Sequence, residues 1–185
     1  GLSLCQEFIY YNPARLPSPI QYVNIDRIRV KDSFTRVWWF SRSANPKANN
    51  RNVLKQYSKQ MKKLLETGQY NAGERPSEHS ISETAFNNDN GGAIPSNVII
   101  ASNTNSRDPY LLRCKENGIK IHPARMPFEV PRFFINLLTD ENDIVMDCFA
   151  GSNTTGYCAE EAKRRWISVE ADKDYYMGSK YRFIR

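Results

Sequence analysis

Asp147-Cys148-Phe149-Ala150-Gly151-Ser152-Asn153-Thr154-Thr155-Gly156 follows the apolar run Ile144-Val145-Met146 and precedes a helical pattern from Tyr157 to Lys163. This order predicts strand, glycine turn, helix. At the carboxyl end of a strand in an open parallel sheet, small residues let a ligand approach the backbone. Gly151 and Gly156 are expected to give that access. Roughly 20 residues on, Arg165-Trp166-Ile167-Ser168-Val169-Glu170 reads as a second short strand ending in an acid, placed to accept the ribose hydroxyls of a nucleoside. The spacing is neither G-x-G-x-x-G nor a P-loop, so a dinucleotide and a triphosphate are both disfavoured. A nucleoside without phosphates fits the turn better.

The chain has 185 residues and 40% apolar content, enough for one domain, or one domain with an insertion. Lys and Arg outnumber Asp and Glu by 26 to 20, a net charge of +6 that favours an anionic partner, though many basic proteins have none. Four cysteines, Cys5, Cys114, Cys148 and Cys158, lack C-x-x-C spacing and nearby histidines, which argues against a zinc site or a disulfide framework. No apolar run approaches the roughly 18 to 20 residues of a membrane span, so a cytoplasmic protein without membrane contact is expected. A start at Gly1 with an apolar pattern already under way is read as a piece of a longer protein.

Along the chain, Leu4 to Tyr11 reads as a buried strand stopped by Asn12-Pro13, and three prolines between Pro13 and Pro19 as a stiff loop. From Ile25, Arg27, Arg29 and Lys31 alternate with Ile28 and Val30, the pattern of a half-buried strand with a basic face. That face is either a protected sheet edge or a phosphate contact. It is expected to form a hairpin with the aromatic strand Phe34 to Ser41. After Pro46 the composition turns polar. Leu54, Tyr57, Met61, Leu64 and Leu65 recur at helical spacing up to Gly68, with Lys55, Lys59, Lys62 and Lys63 on the other side. Such a stripe is commonly only the wet face of a helix, but it could also meet phosphates. Tyr70 to Ser96 reads as loop, and Arg75, Ser77 and His79 there are candidates for reading base edges. Pro109 to Asn117, Pro131 to Leu138 and Tyr175 to Ile184 read as helices.

The motifs YNPARLPSP, RIRVKD, VWWFS, RPSEH, DNGGAIP, IHPAR, FFINLLT, AGSNTTG and RRWISVE occur in the order found in beta-class amino-group DNA methyltransferases of restriction-modification systems, which this chain resembles over most of its length, above all in the cytosine-N4 group. The resemblance implies an α/β fold: a Rossmann-like S-adenosylmethionine-dependent methyltransferase sheet, with residues 1–46 as its distal half, 47–120 as an inserted target-recognition region, and 121–185 as its cofactor half. S-adenosylmethionine is the implied cofactor and double-stranded DNA the implied partner. His122, Pro123, Ala124 and Pro127 match the motif that closes over the methionine part, Phe149, Gly151, Ser152, Thr154, Thr155 and Gly156 match the turn, and Glu170 matches the ribose acid. Asp147 is expected to orient the methionine ammonium or the turn, or else to cap the following helix.

Cys148 and Glu78 depart from the family's usual Pro and Gly without removing a needed group. The Ser/Asp/Asn-Pro-Pro-aromatic tetrapeptide of these enzymes is absent; Asp108-Pro109-Tyr110 is one proline short. The family's strand order puts the strand carrying that tetrapeptide between those matching Ile144–Asp147 and Leu4–Tyr11, so an empty slot is expected there. A preceding segment or a second polypeptide would fill it, and the chain alone would be catalytically silent. A cytosine-C5 mechanism is disfavoured because no cysteine follows a proline. Two further readings are a regulatory or DNA-binding remnant, and an S-adenosylmethionine enzyme with another substrate.

Overall fold

A computed structural model describes residues 1–70, 73–74, 76, 80–82 and 86–184. The chain divides into two compact units, residues 1–49 with 96–185, and residues 50–95.

In the larger unit, β1 (Ser3–Tyr11) pairs antiparallel with β2 (Phe34–Ser41). The aromatic and β-branched content of both segments suits a pleated surface. Neither is as buried as the sequence implies. Phe8 and Tyr10 of β1 are buried, whereas Trp38 and Phe40 of β2 are 56% and 47% exposed.

The expected strand from Ile25 to Lys31 does not form. A π-helical turn, Gln21–Ile25, occupies its start, and the amides of Ile28 and Arg29 both donate to the carbonyl of Tyr22. Alternation favours a strand when it separates a buried face from a wet one. Ile28 and Val30 are 69% and 89% exposed, so nothing here rewards the strand. The hairpin partner of β2 is β1.

In the smaller unit, α1 (Lys59–Thr67) starts later than the apolar spacing suggests, because the Ser58 hydroxyl accepts the amide of Met61 and fixes the N-cap. Gly68, at φ 66°, ends it as expected. Lys55 lies outside the helix and pairs its backbone with Ala93 in both directions. The tyrosyl hydroxyl of Tyr57 donates to Asp89 and accepts from the amide of Asn90. The Asp89–Ala93 turn is thus clamped to the segment preceding α1. Two short strands, β3 (Gly73–Glu74) and β4 (Ser80–Ile81), pair antiparallel within the stretch read as loop.

The larger unit resumes with β5 (Val98–Ile100), parallel to β1 along Ile9–Tyr11. Both edges of β1 are therefore paired, in the order β2-β1-β5. This corrects the expectation of a slot beside β1: its edges are taken by β2 and β5. Next comes α2 (Pro109–Glu116), which was expected in the insert. It instead shares a core with the end of the chain, where Tyr110, Leu111 and Cys114 meet Tyr181. The compact insert is 50–95, narrower than 47–120.

Then follow α3 (Glu129–Leu138), β6 (Ile144–Asp147), α4 (Thr154–Glu161), β7 (Arg165–Ser168) and α5 (Lys173–Ser179), with a 3-10 turn at Lys180–Arg182. β6 and β7 are parallel, a βαβ unit with α4 as its crossover. α3 is apolar on two flanks. Val130, Phe133 and Phe134 meet Tyr10 and Ile99 on one side, while Ile135 meets Cys158 and Ala159 of α4 on the other.

Candidate functional site

The turn between β6 and α4 is shaped by hydrogen bonds from residues 147–172 and from Arg182. Asp147 accepts the amide of Phe149 at 3.0 Å through its own carboxylate, which bends the chain as it leaves the strand. Asp147 therefore shapes the entry to the turn and does not cap α4. The cap is Asn153, in the left-handed region at φ 56°, where asparagine is among the few side chains tolerated. Its buried amide oxygen accepts the amide of Gly156 at 3.1 Å and the hydroxyl of Ser168 at 2.7 Å.

That geometry gives the two glycines different tasks. A Cβ on Gly156 would stand 2.3 Å from the Asn153 amide oxygen. The helix cap alone therefore requires glycine at position 156. Gly151, at φ 52°, is buried against the His122 ring, which a Cβ there would meet at 2.9 Å.

Glu170 turns toward the bend. One carboxylate oxygen accepts the amide of Gly151 at 2.7 Å and the other the amide of Asp172 at 2.9 Å. The amide of Asp172, then that of Gly151 and the nearby His122, hold this carboxyl below the ordinary glutamate value. It remains an anion with lone pairs left for further donors.

His122 is fixed from two directions. Its backbone amide donates to the Tyr110 hydroxyl at 3.1 Å, and its ring stands edge-on to Tyr175 at 4.6 Å. The ring Nδ1 is buried without a hydrogen-bond partner among the described residues, an orphan that calls for explanation at a ligand site.

Two cavities meet at this turn, and Ala150 and Gly151 border both. The one of about 490 Å³ gathers His122, Ala124, Asp147, Phe149, Ser152, Thr154 and Thr155 with apolar residues of α3. The other, of about 640 Å³, holds Glu170, Ser168, Tyr176 and Met177. Of the sequence candidates, Pro123 and Gly156 border neither, and Pro127 borders a different cleft beside Tyr10 and Asn12. Asn153, Tyr110 and Arg182 were not read as site residues. Only Asn153 carried a local signal, as a polar residue ahead of a helix.

Among the basic candidates, Lys59, Lys62 and Lys63 lie exposed along α1, with Lys55 exposed ahead of it. Arg27, Arg29 and Lys31 fall in irregular chain. Arg29 lies over the Tyr22 ring, and the Lys31 ammonium donates to the carbonyls of Pro13 and Arg15. Lys31 therefore braces the proline loop. Arg75, Ser77 and His79 lie outside the described residues. Among the described residues, no cluster of three His, Cys, Asp or Glu could hold a metal ion, and no helix is long and apolar enough to cross a membrane.

A sequence profile of the DNA methylase family matches residues 3–180. The chain belongs to this family. The family's methyl donor is S-adenosylmethionine, and the α/β architecture, with its parallel β6–β7 pair and glycine turn, is that of its Rossmann-like sheet. Among the relatives of this DNA methylase family chain, the type II methyltransferase M.PvuII of Proteus hauseri is 48% identical over 186 residues, covering all of this chain and 55% of the relative. M.BglI of Bacillus subtilis is 41% identical over 54 residues, 29% of this chain and 16% of the relative. A solved structure of the PvuII DNA methyltransferase, described as cytosine-N4-specific, superposes over the whole chain with a TM-score of 0.76 at 39% identity, across 52% of its own length. A structure of M1.HpyAVI in complex with S-adenosylmethionine shares the fold, with a TM-score of 0.56 at 19% identity. The chain spans about half the length of M.PvuII.

Proposed function

We propose that this chain is the cofactor-binding and DNA-recognition portion of a site-specific methyltransferase that moves a methyl group from S-adenosylmethionine to an exocyclic amino group of duplex DNA, cytosine N4. The observation that carries it is the joint geometry of Gly151 and Glu170: a glycine turn tied by its amide to an anionic carboxylate, with Gly151 bordering a cavity on either side. An adenosine bearing a methionine arm has a diol at its centre and a charged tail, which suits one acid and two flanking pockets.

In this reading Glu170 accepts the ribose hydroxyls, and Gly151 lets His122 close against the turn beside the nucleoside. Asp147 and the orphaned Nδ1 of His122 face the methionine arm, and Phe149, 93% exposed, covers it from outside. The bound cofactor supplies an electrophilic methyl on a sulfonium. Lys59, Lys62 and Lys63 approach DNA phosphates; Arg75, Ser77 and His79 are kept as candidates for base edges. A cytoplasmic location accompanies a DNA substrate.

The amine of cytosine has a delocalised lone pair, so it must be hydrogen-bonded and aligned before displacement is fast. The tetrapeptide that does so in the family has no counterpart here. Asp108-Pro109-Tyr110 does not replace it: Asp108 caps α2 and pairs with Arg182 in the interior, and Tyr110 is a core residue. β2 pairs only with β1, and β6 only with β7, among the described residues. Those two strand edges, with Trp38, Phe40, Ile144 and Met146 exposed beside them, suit strands supplied by another segment or another chain.

Methyl transfer to unmodified duplex DNA is expected only when a polypeptide carrying the tetrapeptide is added. Transfer by the chain alone refutes that part. Titration calorimetry should detect S-adenosylmethionine binding; none, even with the complementing polypeptide present, would favour a DNA-binding remnant. DNA affinity should fall steeply with salt, and neutralising Lys59, Lys62 and Lys63 together should flatten the slope by up to about 3.

A further inference from the structure

Against the glycine turn, and bordering neither of the two cavities, lies an almost fully buried guanidinium. The Arg182 side chain is 2% exposed and that of Asp108 is 8% exposed. Each of its nitrogens has a partner: Nε donates to the Ser152 carbonyl at 3.0 Å, Nη2 to the Ser152 hydroxyl at 3.1 Å, and Nη1 to Asp108 at 2.6 Å. The rings of Tyr110 and Phe128 lie against it, with centroids at 4.5 and 5.1 Å. Ser152 follows Gly151 directly, so this side chain grips the turn one residue from the glycine that borders both cavities. Asp108 meanwhile accepts the amide of Tyr110 and fixes the start of α2.

We infer that Arg182 is a positioning residue for the cofactor, holding the Ser152 end of the turn, and that Asp108 neutralises it so that the turn can face a positively charged ligand. The inference rests on the cofactor reading above. Physically, arginine stays protonated in a protein interior, and a buried charge without its partner projects a field that water does not screen. The methyl donor carries a sulfonium; its demethylated product, S-adenosylhomocysteine, has a neutral thioether and is otherwise alike. An unbalanced guanidinium against the turn would therefore penalise donor more than product. A merely structural ion pair would affect both equally.

The test is calorimetry with both ligands, at a temperature where each variant is fully folded. Arg182→Met should weaken both by about tenfold, as lost hydrogen bonds to the turn imply. Asp108→Asn has a single oxygen, enough for Tyr110 or Arg182 but not both; it leaves the charge unbalanced, and should weaken the donor about threefold to tenfold more than the product. In the double variant Asp108→Asn, Arg182→Met, the donor-to-product ratio should return to that of wild type. The control is Arg113→Ala, which frees the carbonyls of Tyr181 and Ile184 on the same terminal segment without touching the turn; it should lower Tm and leave both affinities unchanged. Should Arg182→Met fail to fold, Arg182→Lys, whose single ammonium cannot serve three acceptors at this spacing, should still weaken both ligands about threefold.

Unchanged affinities in the Arg182 variants, an equal loss in Arg113→Ala, or an unaltered ligand ratio in Asp108→Asn would overturn the inference. If the wild-type chain binds neither ligand, the cofactor reading falls first.

Discussion

Around the turn after β6, backbone and side chains close on one another: Asp147 holds Phe149, Glu170 holds Gly151 and Asp172, and Asn153 holds Gly156 and Ser168. Along β2 the situation is reversed, with Trp38 and Phe40 about half exposed and one strand edge unpaired among the described residues. The turn is held on every side by groups of this chain, Arg182 among them, whereas the β2 edge has the chemistry of an interface still to be covered. Hydrogen bonds within residues 147–172 shape most of the turn, but a sheet edge needs a whole strand brought alongside.

If that contrast is right, substitutions should hurt the isolated chain at the turn and hardly at all along β2. The largest effect is expected for Asn153→Ala. It removes the cap and leaves the amide of Gly156 and the hydroxyl of Ser168 without their acceptor, for about 2 to 4 kcal/mol; thermal or urea unfolding measures it. A loss under about 0.5 kcal/mol would mean that the turn is not self-supporting.

Next in size, Glu170→Ala should weaken S-adenosylmethionine by about 1 to 3 kcal/mol, the scale of a charged hydrogen-bond acceptor, in the same calorimetric assay. The pH dependence has a definite sign. Because the folded Glu170 carboxyl lies below its ordinary value, its contribution is complete above the unfolded glutamate value of about 4.3 and is lost as pH falls through the lower folded value. Affinity should therefore show no Glu170 titration between pH 5 and 8. A step in that range that disappears in Glu170→Gln would contradict the assignment.

Thiol labelling sharpens the same contrast. Cys148 is exposed in the turn, while Cys158 is buried under α3 and its thiol is pushed up by that burial to about 11. Maleimide should modify Cys148 quickly, more slowly with the methyl donor present, and leave Cys158 intact until unfolding. The smallest effect belongs to β2: Trp38→Ser with Phe40→Ser should cost the isolated chain under about 1 kcal/mol in total. The same pair should abolish rescue of methyl transfer by the complementing polypeptide.

Where the chain's signals are local, they were legible. The run IVMD, the small residues after it and WIS before Glu170 announce two strands around a turn, and they form as read. Gly68 marks a helix end by itself. Ile28 and Val30 mislead because periodicity records which residues could be buried, while burial depends on whether anything lies opposite them. The pairing of Asp108 with Arg182 joins residues 74 positions apart, and no spacing rule reaches that far. The placement of β5 beside β1 was hidden for the same reason: Val98-Ile99-Ile100 is a short apolar patch that does not say what it pairs with.

α3 has one further consequence. Val130, Phe133 and Phe134 belong to the core of the β1 sheet, and Ile135 to the core beneath β6, so neither sheet can loosen while the other retains its full complement of contacts. A wall common to two rooms cannot come down for only one of them. Amide exchange in β1 and in β6 should therefore slow and quicken together as denaturant is added, although the two strands are not hydrogen-bonded to each other.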